Sequence, residues 1–482
     1  MTGLVWQSAR QLTGAIRTGE LSAVELMAAT YDQIEGLNSN VNAIVNLLPR
    51  AEALAAAREQ DQTRARGEAL GALAGLPLAV KDLEDAKGFP TTFGFRPFAE
   101  AVAEADGEVA ARMRRAGGIV IGKTNVPEFG LGSNTFNALF GATRNPYDLE
   151  RTAGGSSGGA AAALATGMLA IADGSDMGGS LRNPAGFCNV VGLRPSIGRV
   201  PDQRAFGWLA RLSTLGPMAR NVDDAALLLS VQAGYCATDP LSRMEPDPGF
   251  SGALECDPKT LRIAFSPDLG GLPVQAEVRE RISAAAAVFA DLGADVENAC
   301  PNLDGAMAVF QTQRAASLAA LGRQLDQQVS DWRRHAKDTA VWNIDKGLAL
   351  CAEELIEAEI ERTQIYRRAA GFFERYDILL CPAAQVTPFP IGDEWVREIN
   401  GQPMATYIDW MAVCCAITIL SAPAISVPGG FTPDGLPVGL QIVGAPGQDL
   451  KVLKAAHLFE QATGHGKVRP PIPDEQRAPQ AE

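Results

Sequence analysis

Histidine is nearly missing from this chain: three among 482 residues, at His335, His457 and His465. They lie far apart, with no His/Cys ligand spacing around them. A zinc site or a histidine-based nucleophilic triad is therefore poorly supplied, and no metal is expected. No Cys-X-X-Cys occurs among the eight cysteines. In a chain this long they read as buried free thiols of a reducing compartment, not as a disulfide framework. Positive charge is in deficit, 42 Lys and Arg against 56 Asp and Glu, for a net charge of −14. That excess argues against a protein that tracks nucleic-acid phosphates, which would carry a basic face. Met1 to Arg17 holds no apolar core, so no secretory leader is read and a cytoplasmic location is expected. An unbroken apolar run is also lacking. Trp410 to Pro433 carries no charge and is long enough for a bilayer. Pro423, Pro428, Gly429 and Gly430 divide it into a helix and an extended piece, which reads as buried core rather than a membrane span.

Hydrophobic residues make up 46% of the chain, and its length allows one large domain or about three ordinary ones. Ser22-Ala23-Val24-Glu25 is a capping box that opens a helix, and Arg50 to Arg66 reads as a second helix. Leu76 to Val80 reads as a short buried strand ending at Lys81-Asp82. Asp106 is placed to cap a helix through Ala116, followed by a strand at Ile119 to Ile121. Ser157 to Met168, small and apolar, predicts a closely packed buried helix. Later strands are read at Leu261–Phe265, Asp377–Cys381 and Val438–Val443, with a helix over Val278–Leu292. A last helix is capped by Asp449 and stopped by Gly464. This alternation predicts an α/β class with a largely buried sheet. No linker divides the chain, so a single domain over 1–466 is expected, with its core at about 70–220. Residues 467–482, rich in proline, are expected as a loose tail.

Three glycine-rich segments invite chemistry. Gly117 to Thr124 matches the phosphate-loop pattern GxxxxGK[ST] letter for letter. Its centre, Ile119-Val120-Ile121, wants to be a strand, and what precedes it is a helix. A nucleotide-binding reading is therefore weak. Thr152 to Gly159 and Gly174 to Arg182 each embed serines among glycines. Glycine lets successive N–H groups converge, so a serine ending such a run can sit beside an oxyanion hole. Tight turns with incidental serines are the competing reading. A serine nucleophile still needs a base, and histidine is scarce. Lys81, at the end of an apolar strand, would be partly desolvated and so hold its proton weakly; it could equally be a strand-end lysine reaching for solvent.

Taken together these segments resemble the amidase signature family of serine hydrolases. The resemblance rests on Gly75-Leu76-Pro77-Leu78-Ala79-Val80-Lys81-Asp82, Gly122-Lys123-Thr124-Asn125 with Glu128-Phe129, and Arg144-Asn145-Pro146. It runs on through Gly154-Gly155-Ser156-Ser157-Gly158-Gly159, Gly174 to Ala185, and Gly192-Leu193-Arg194-Pro195-Ser196. Pro423 to Pro428 and Gly435 to Gln441 look like the family's C-terminal strands. The resemblance implies one α/β/α domain around a mixed twisted sheet covered by helices. It implies Ser180 as the acylated nucleophile, Ser156 as a bridging serine after a cis peptide bond, and Lys81 as the terminal base. The backbone N–H groups of Met177, Gly178, Gly179 and Ser180 would form the oxyanion hole. Met177, Leu181 and Arg194 depart from the commoner threonine or isoleucine, isoleucine and lysine; position 177 would act through its backbone.

The implied activity is hydrolysis of a linear or cyclic carboxylic amide through a serine acyl-enzyme, with no cofactor. A lysine with an ordinary pKa of ~10.4 is only about 0.04% neutral at pH 7, so burial must lower it. Asn183 is a candidate substrate contact or simply a turn residue before Pro184. Pocket walls are expected from Phe129–Asn134, Phe206-Gly207-Trp208 and Tyr407–Thr418. A small-molecule amide is the expected partner, with no nucleic acid and no membrane, and a homodimer is allowed. The alternative within the family is the amidase component of a tRNA-dependent glutamine amidotransferase complex; a phosphate-loop NTPase is the weak one outside it.

Overall fold

Two sheets carry the segments singled out above, and the computed structural model describes them within residues 3–203, 208 and 211–472. The smaller sheet has β1 (Ile44–Val45), β2 (Pro77–Lys81) and β3 (Ile119–Thr124), in the order β1-β3-β2, with β2 and β3 parallel. Both longer strands are buried along their whole length, as their continuous apolar runs require. The phosphate-loop lettering is thus absorbed into strand β3. The Lys123 amine is fully buried, donates to the Glu84 carbonyl at 2.5 Å and lies 3.7 Å from Asp82. It has no loop to serve.

Two short ribbons follow, β4 (Phe136–Asn137) with β5 (Gly141–Ala142), and β6 (Arg144–Asn145) with β7 (Asp148–Thr152). The large sheet contains β8 (Ile171–Asp176), β9 (Val191–Arg194), β10 (Thr214–Ala219), β11 (Arg262–Phe265), β12 (Asp295–Asn298) and β13 (Ile378–Pro382). After a third ribbon, β14 (Glu398–Ile399) with β15 (Gln402–Pro403), it is completed by β16 (Ala424–Phe431) and β17 (Pro437–Gly444). Its order is β12-β11-β13-β17-β16-β9-β10-β8. β11 pairs in parallel with β12 and β13, and the other neighbours are antiparallel. The sheet is mixed, as expected. Alternation along β17 shows how it is covered. A Cβ at Gly439 would meet the Gly186 Cα of helix Arg182–Phe187 at 2.6 Å, and one at Gly444 would meet Val452 of helix Asp449–Thr463 at 2.7 Å. Odd and even positions thus face helices on opposite sides.

Several local expectations are refined. Ser22 makes its capping box with Glu25, and Gly464 ends the last helix at φ 63°. Asp106 does not cap helix Glu108–Arg115. Gly107 holds that position, and the Asp106 carboxylate accepts the Lys87 N–H and pairs with Arg114. Asp449 is the first helical residue, not the cap, because its carboxylate accepts the Ser196 N–H and faces Arg199. The alanine-rich helix spans Gly158–Ala165 only. The charge-free stretch forms helix Ala412–Ile419 and then β16, and among the described residues no helix is long and apolar enough to cross a membrane. The beginning of the expected tail is tied down: Val468 accepts from the Tyr147 hydroxyl, and Arg469 lies over the Trp6 ring. Residues 473–482 lie outside the described residues.

Candidate active site

Lys81 ends β2 where the small sheet meets β8. Its backbone N–H is not taken by a neighbouring strand; it donates to the Asp173 carboxylate of β8 at 3.0 Å. Its amine is fully buried beside four oxygens: Ser156 Oγ at 2.9 Å, Ser157 Oγ at 2.8 Å, Ser175 Oγ at 2.9 Å and the Ser175 carbonyl at 3.2 Å. No carboxylate pairs with the amine itself among the described residues. Burial disfavours the ammonium and brings the Lys81 pKa down to about 7, against the pull of Asp173 and Asp176. The oxygen set suits a neutral amine, with two N–H groups to donate and one lone pair to receive a hydroxyl proton. Burial likewise pushes Asp173 up to about 6, opposed by the Lys81 N–H.

Ser156 sits in the turn between β7 and the alanine-rich helix, after a cis Gly155–Ser156 peptide. Small residues are needed here because the turn is pressed on all sides. A Cβ at Gly158 would lie 2.3 Å from Thr135 Oγ1, and one at Gly159 would lie 2.3 Å from the Asn125 nitrogen.

Ser180 closes the loop between β8 and helix Arg182–Phe187 and is 8% exposed. Gly179 has φ 110°, and a Cβ there would lie 2.7 Å from Cys414 Cβ, so only glycine fits. The loop is clamped by Asp176. Its carboxylate accepts the Gly179 N–H at 2.8 Å, the Leu181 N–H at 3.1 Å and two Arg182 bonds at 2.9 Å. Arg194 donates to the Asp176 carbonyl. Burial alone would raise Asp176; Arg182, Arg194 and the Gly179 N–H outweigh it and hold the carboxyl well below the usual range. Asp176→Asn leaves two buried guanidinium groups without their counter-charge. We expect it to cost roughly 3–5 kcal/mol in urea unfolding. An unchanged midpoint would remove Asp176 as the clamp.

The structure brings Lys81 and Ser156 together directly. Among the described residues no hydrogen bond joins the Ser156 and Ser180 hydroxyls. Their loops meet instead through the Ser157 N–H and the Ser180 carbonyl, 3.2 Å apart. The expected oxyanion hole is altered at one position: the Gly179 N–H is already committed to Asp176. That leaves the N–H groups of Met177, Gly178 and Ser180 without an acceptor among the described residues. Asn183 is buried against Gly154, and its Oδ1 has no donor among the described residues.

A cleft of about 1140 Å³ opens beside this loop, lined by Ser175 and Met177 together with Phe93, Phe98, Phe129, Leu318 and Leu321. Of the expected walls, Phe129 lines it, whereas Asn134 is tied up in structural bonds to Thr152 and the Asp393 carbonyl. Trp208 is 79% exposed, and Phe206 and Gly207 lie outside the described residues. Cys414 and Cys415 pack beneath Gly179 and Gly178. Sequence reasoning missed the Ser157 and Ser175 hydroxyls on the Lys81 amine, although both stand in the glycine-serine segments. It also missed Asp173 and Asp176, whose partners are set by the fold. Among the described residues no group of three or more His, Cys, Asp or Glu side chains is placed to hold a metal ion.

Against known proteins, the Amidase family profile matches residues 25–453. An acylamidase of Rhodococcus erythropolis is 35% identical over 461 residues, 95% of each chain. A glutamyl-tRNA(Gln) amidotransferase subunit of Moorella thermoacetica is 35% identical over 492 residues, 97% of this chain and 99% of that one. Among solved structures, a bacterial aryl acylamidase of the amidase signature enzymes superposes with a TM-score of 0.91 at 31% identity, covering 97% of this chain and 99% of that one. A 6-aminohexanoate cyclic dimer hydrolase in complex with substrate gives 0.87 at 28%, with the same coverage.

Proposed function

The chain belongs to the amidase signature family, and from that membership we propose that it hydrolyses carboxylic amides through an acyl-enzyme on Ser180. Ser156 relays the proton and Lys81 is the terminal base. The observation that carries this reading is the Lys81 amine, fully buried and 2.9 Å from Ser156 Oγ. Neutral Lys81 takes a proton from Ser156 as Ser156 takes one from Ser180. The Ser180 oxygen attacks the amide carbon, and the N–H groups of Met177, Gly178 and Ser180 receive the oxyanion. The proton returns through Ser156 to the leaving nitrogen, and water cleaves the ester. The partner is a small-molecule amide, linear or cyclic. A mass-spectrometric screen of anilides, short aliphatic amides and cyclic amides tests this; an enzyme that cleaves none of them while folded would overturn it.

The relay needs no metal. Exhaustive chelation with EDTA is expected to leave kcat/KM unchanged within error. Activity that disappears and returns with zinc or manganese would sink the mechanism.

A second reading, the amidase component of a tRNA-dependent glutamine amidotransferase complex, draws on the 35% identity to the Moorella thermoacetica protein over nearly the whole chain. The superposition favours the free-standing hydrolase, since the glutamyl-tRNA(Gln) amidotransferase protein of Thermotoga maritima gives a TM-score of 0.77 against 0.91 for the aryl acylamidase. Stable co-purification with partner proteins, together with glutaminase activity, would reverse that preference.

A further inference from the structure

Helix Ala306–Gln328 sends one charged side chain toward the Ser180 loop. Arg314 is 4% exposed and has no carboxylate partner among the described residues. Its Nε donates to Asn343 Oδ1 at 3.0 Å, one Nη donates to the Tyr407 hydroxyl at 2.8 Å, and the other points at Met177 Sδ at 3.4 Å. The guanidinium also lies 5.6 Å from the Tyr407 ring centre. A guanidinium offers five N–H donors. Here three are directed at acceptors, one of them a thioether, which accepts weakly. A buried charge this poorly compensated is costly unless a counter-ion completes it.

A second buried donor lies in the same cluster. Asn343 is fully buried, and its Oδ1 accepts from both Arg314 and the Tyr407 hydroxyl. That orientation leaves Nδ2 as a donor, and Nδ2 has no acceptor among the described residues. Spare guanidinium N–H groups and a spare amide NH2 thus sit together beside Met177, the first residue of the oxyanion loop.

The position beside the cleft follows from helical spacing. Ser317, Leu318, Leu321 and Leu325 line the cleft, and Arg314 precedes the first two by three and four residues, on the same helix face. Arg314, Asn343 and Tyr407 do not themselves line the cleft; Met177, which does, touches the guanidinium through its thioether. An acyl group whose carbonyl oxygen sits on the Met177 N–H has the guanidinium beside it, at the Met177 side chain. Of the carboxylates that line the cleft, Asp106 and Glu108 pair with Arg114 and Arg112.

We propose that Arg314, with Asn343 and Tyr407, forms a carboxylate-reading subsite, so that the preferred substrates are monoamides of dicarboxylic acids. This rests on the acyl-enzyme reading of Ser180 and goes further by naming the acyl class. It also gives Met177 a side-chain role: its thioether fills the space beside the guanidinium without neutralising it.

The test compares glutaryl para-nitroanilide with its methyl ester, which differ in the charge and one methyl group. Wild type is expected to favour the free acid in kcat/KM by about ten- to a hundredfold, the range for a hydrogen bond to a charged group. Arg314→Met should bring that ratio to near one, however far the absolute rates move. Arg314→Lys should keep part of it, as a point charge without the planar fork. A wild-type ratio at or below one, or a ratio unchanged in Arg314→Met, overturns the proposal. A companion measurement needs no turnover: glutarate should slow fluorophosphonate labelling of Ser180, and dimethyl glutarate should not. Labelling that glutarate leaves untouched counts against the subsite. Failure of Ser180 to label at all counts instead against the acyl-enzyme beneath it.

Discussion

Ser180→Ala is expected to lose about 10⁴-fold or more in kcat on any amide the wild type cleaves, while its melting temperature stays near that of wild type. The size follows from removing the atom that forms the covalent bond: what remains is binding and an oxyanion hole with nothing to stabilise. Fold should survive because the Ser180 hydroxyl makes no hydrogen bond among the described residues. The local structure hangs on its carbonyl and on Asp176. A fluorophosphonate should modify wild type once, at Ser180, as peptide mapping by mass spectrometry will show. Labelling that persists in Ser180→Ala would move the nucleophile elsewhere, with Ser156, Ser157 and Ser175, whose hydroxyls touch the Lys81 amine, as the alternatives.

Lys81→Ala should separate two reactions that Ser180→Ala cannot. An amide expels an amine, which leaves poorly unless protonated in the transition state; an activated ester expels a stable phenolate. If Lys81 both removes the Ser180 proton and returns one through Ser156, its loss harms amide hydrolysis by about 10²–10⁴-fold. Para-nitrophenyl ester hydrolysis falls by much less. In wild type the working form is the neutral amine, so amide kcat/KM should climb with pH up to about 7 and level off above it. Below that pH an ammonium has no lone pair to accept with, and the rate should fall about tenfold per unit. Equal losses on amide and ester, or an acid limb that survives in Lys81→Ala, would take Lys81 out of the relay.

Much of this site is legible without coordinates. Glycine and serine alternating in two short segments, a lysine closing an apolar strand, and a shortage of histidine are all local facts. Local facts are what a sequence displays. The relation of Lys81 to Asp173 spans 92 positions and that of Met177 to Arg314 spans 137, and only the packing of the two sheets and helix Ala306–Gln328 creates them. Asp106 and Asp449 show the same limit on a smaller scale. Each stands where a cap is wanted, yet each is drawn away by a partner the sequence does not announce, Arg114 and the Ser196 N–H. Resemblance puts Gly179 in the oxyanion hole, but its N–H is engaged by Asp176, three residues earlier. A mixed central sheet is what the resemblance implies; the placing of Lys81 on a separate small sheet is not legible, because β2 looks like any buried strand.

Strand β8 carries Asp173, which holds the backbone of Lys81, Ser175, which touches its amine, and Asp176, which holds the Ser180 loop. Base and nucleophile are therefore spaced by one short piece of extended backbone, about 3.3 Å per residue, rather than by the meeting of distant parts. The cleft walls come mostly from residues 83–109, and helix Ala306–Gln328 supplies a further side through Ser317, Leu318, Leu321 and Leu325. One side of the cleft is thus written in a stretch of the chain apart from the chemistry and can drift independently of it. A graft that exchanges the helix face bearing Arg314, Leu318 and Leu321 for that of a relative should transplant substrate preference while the acylation machinery keeps its timing.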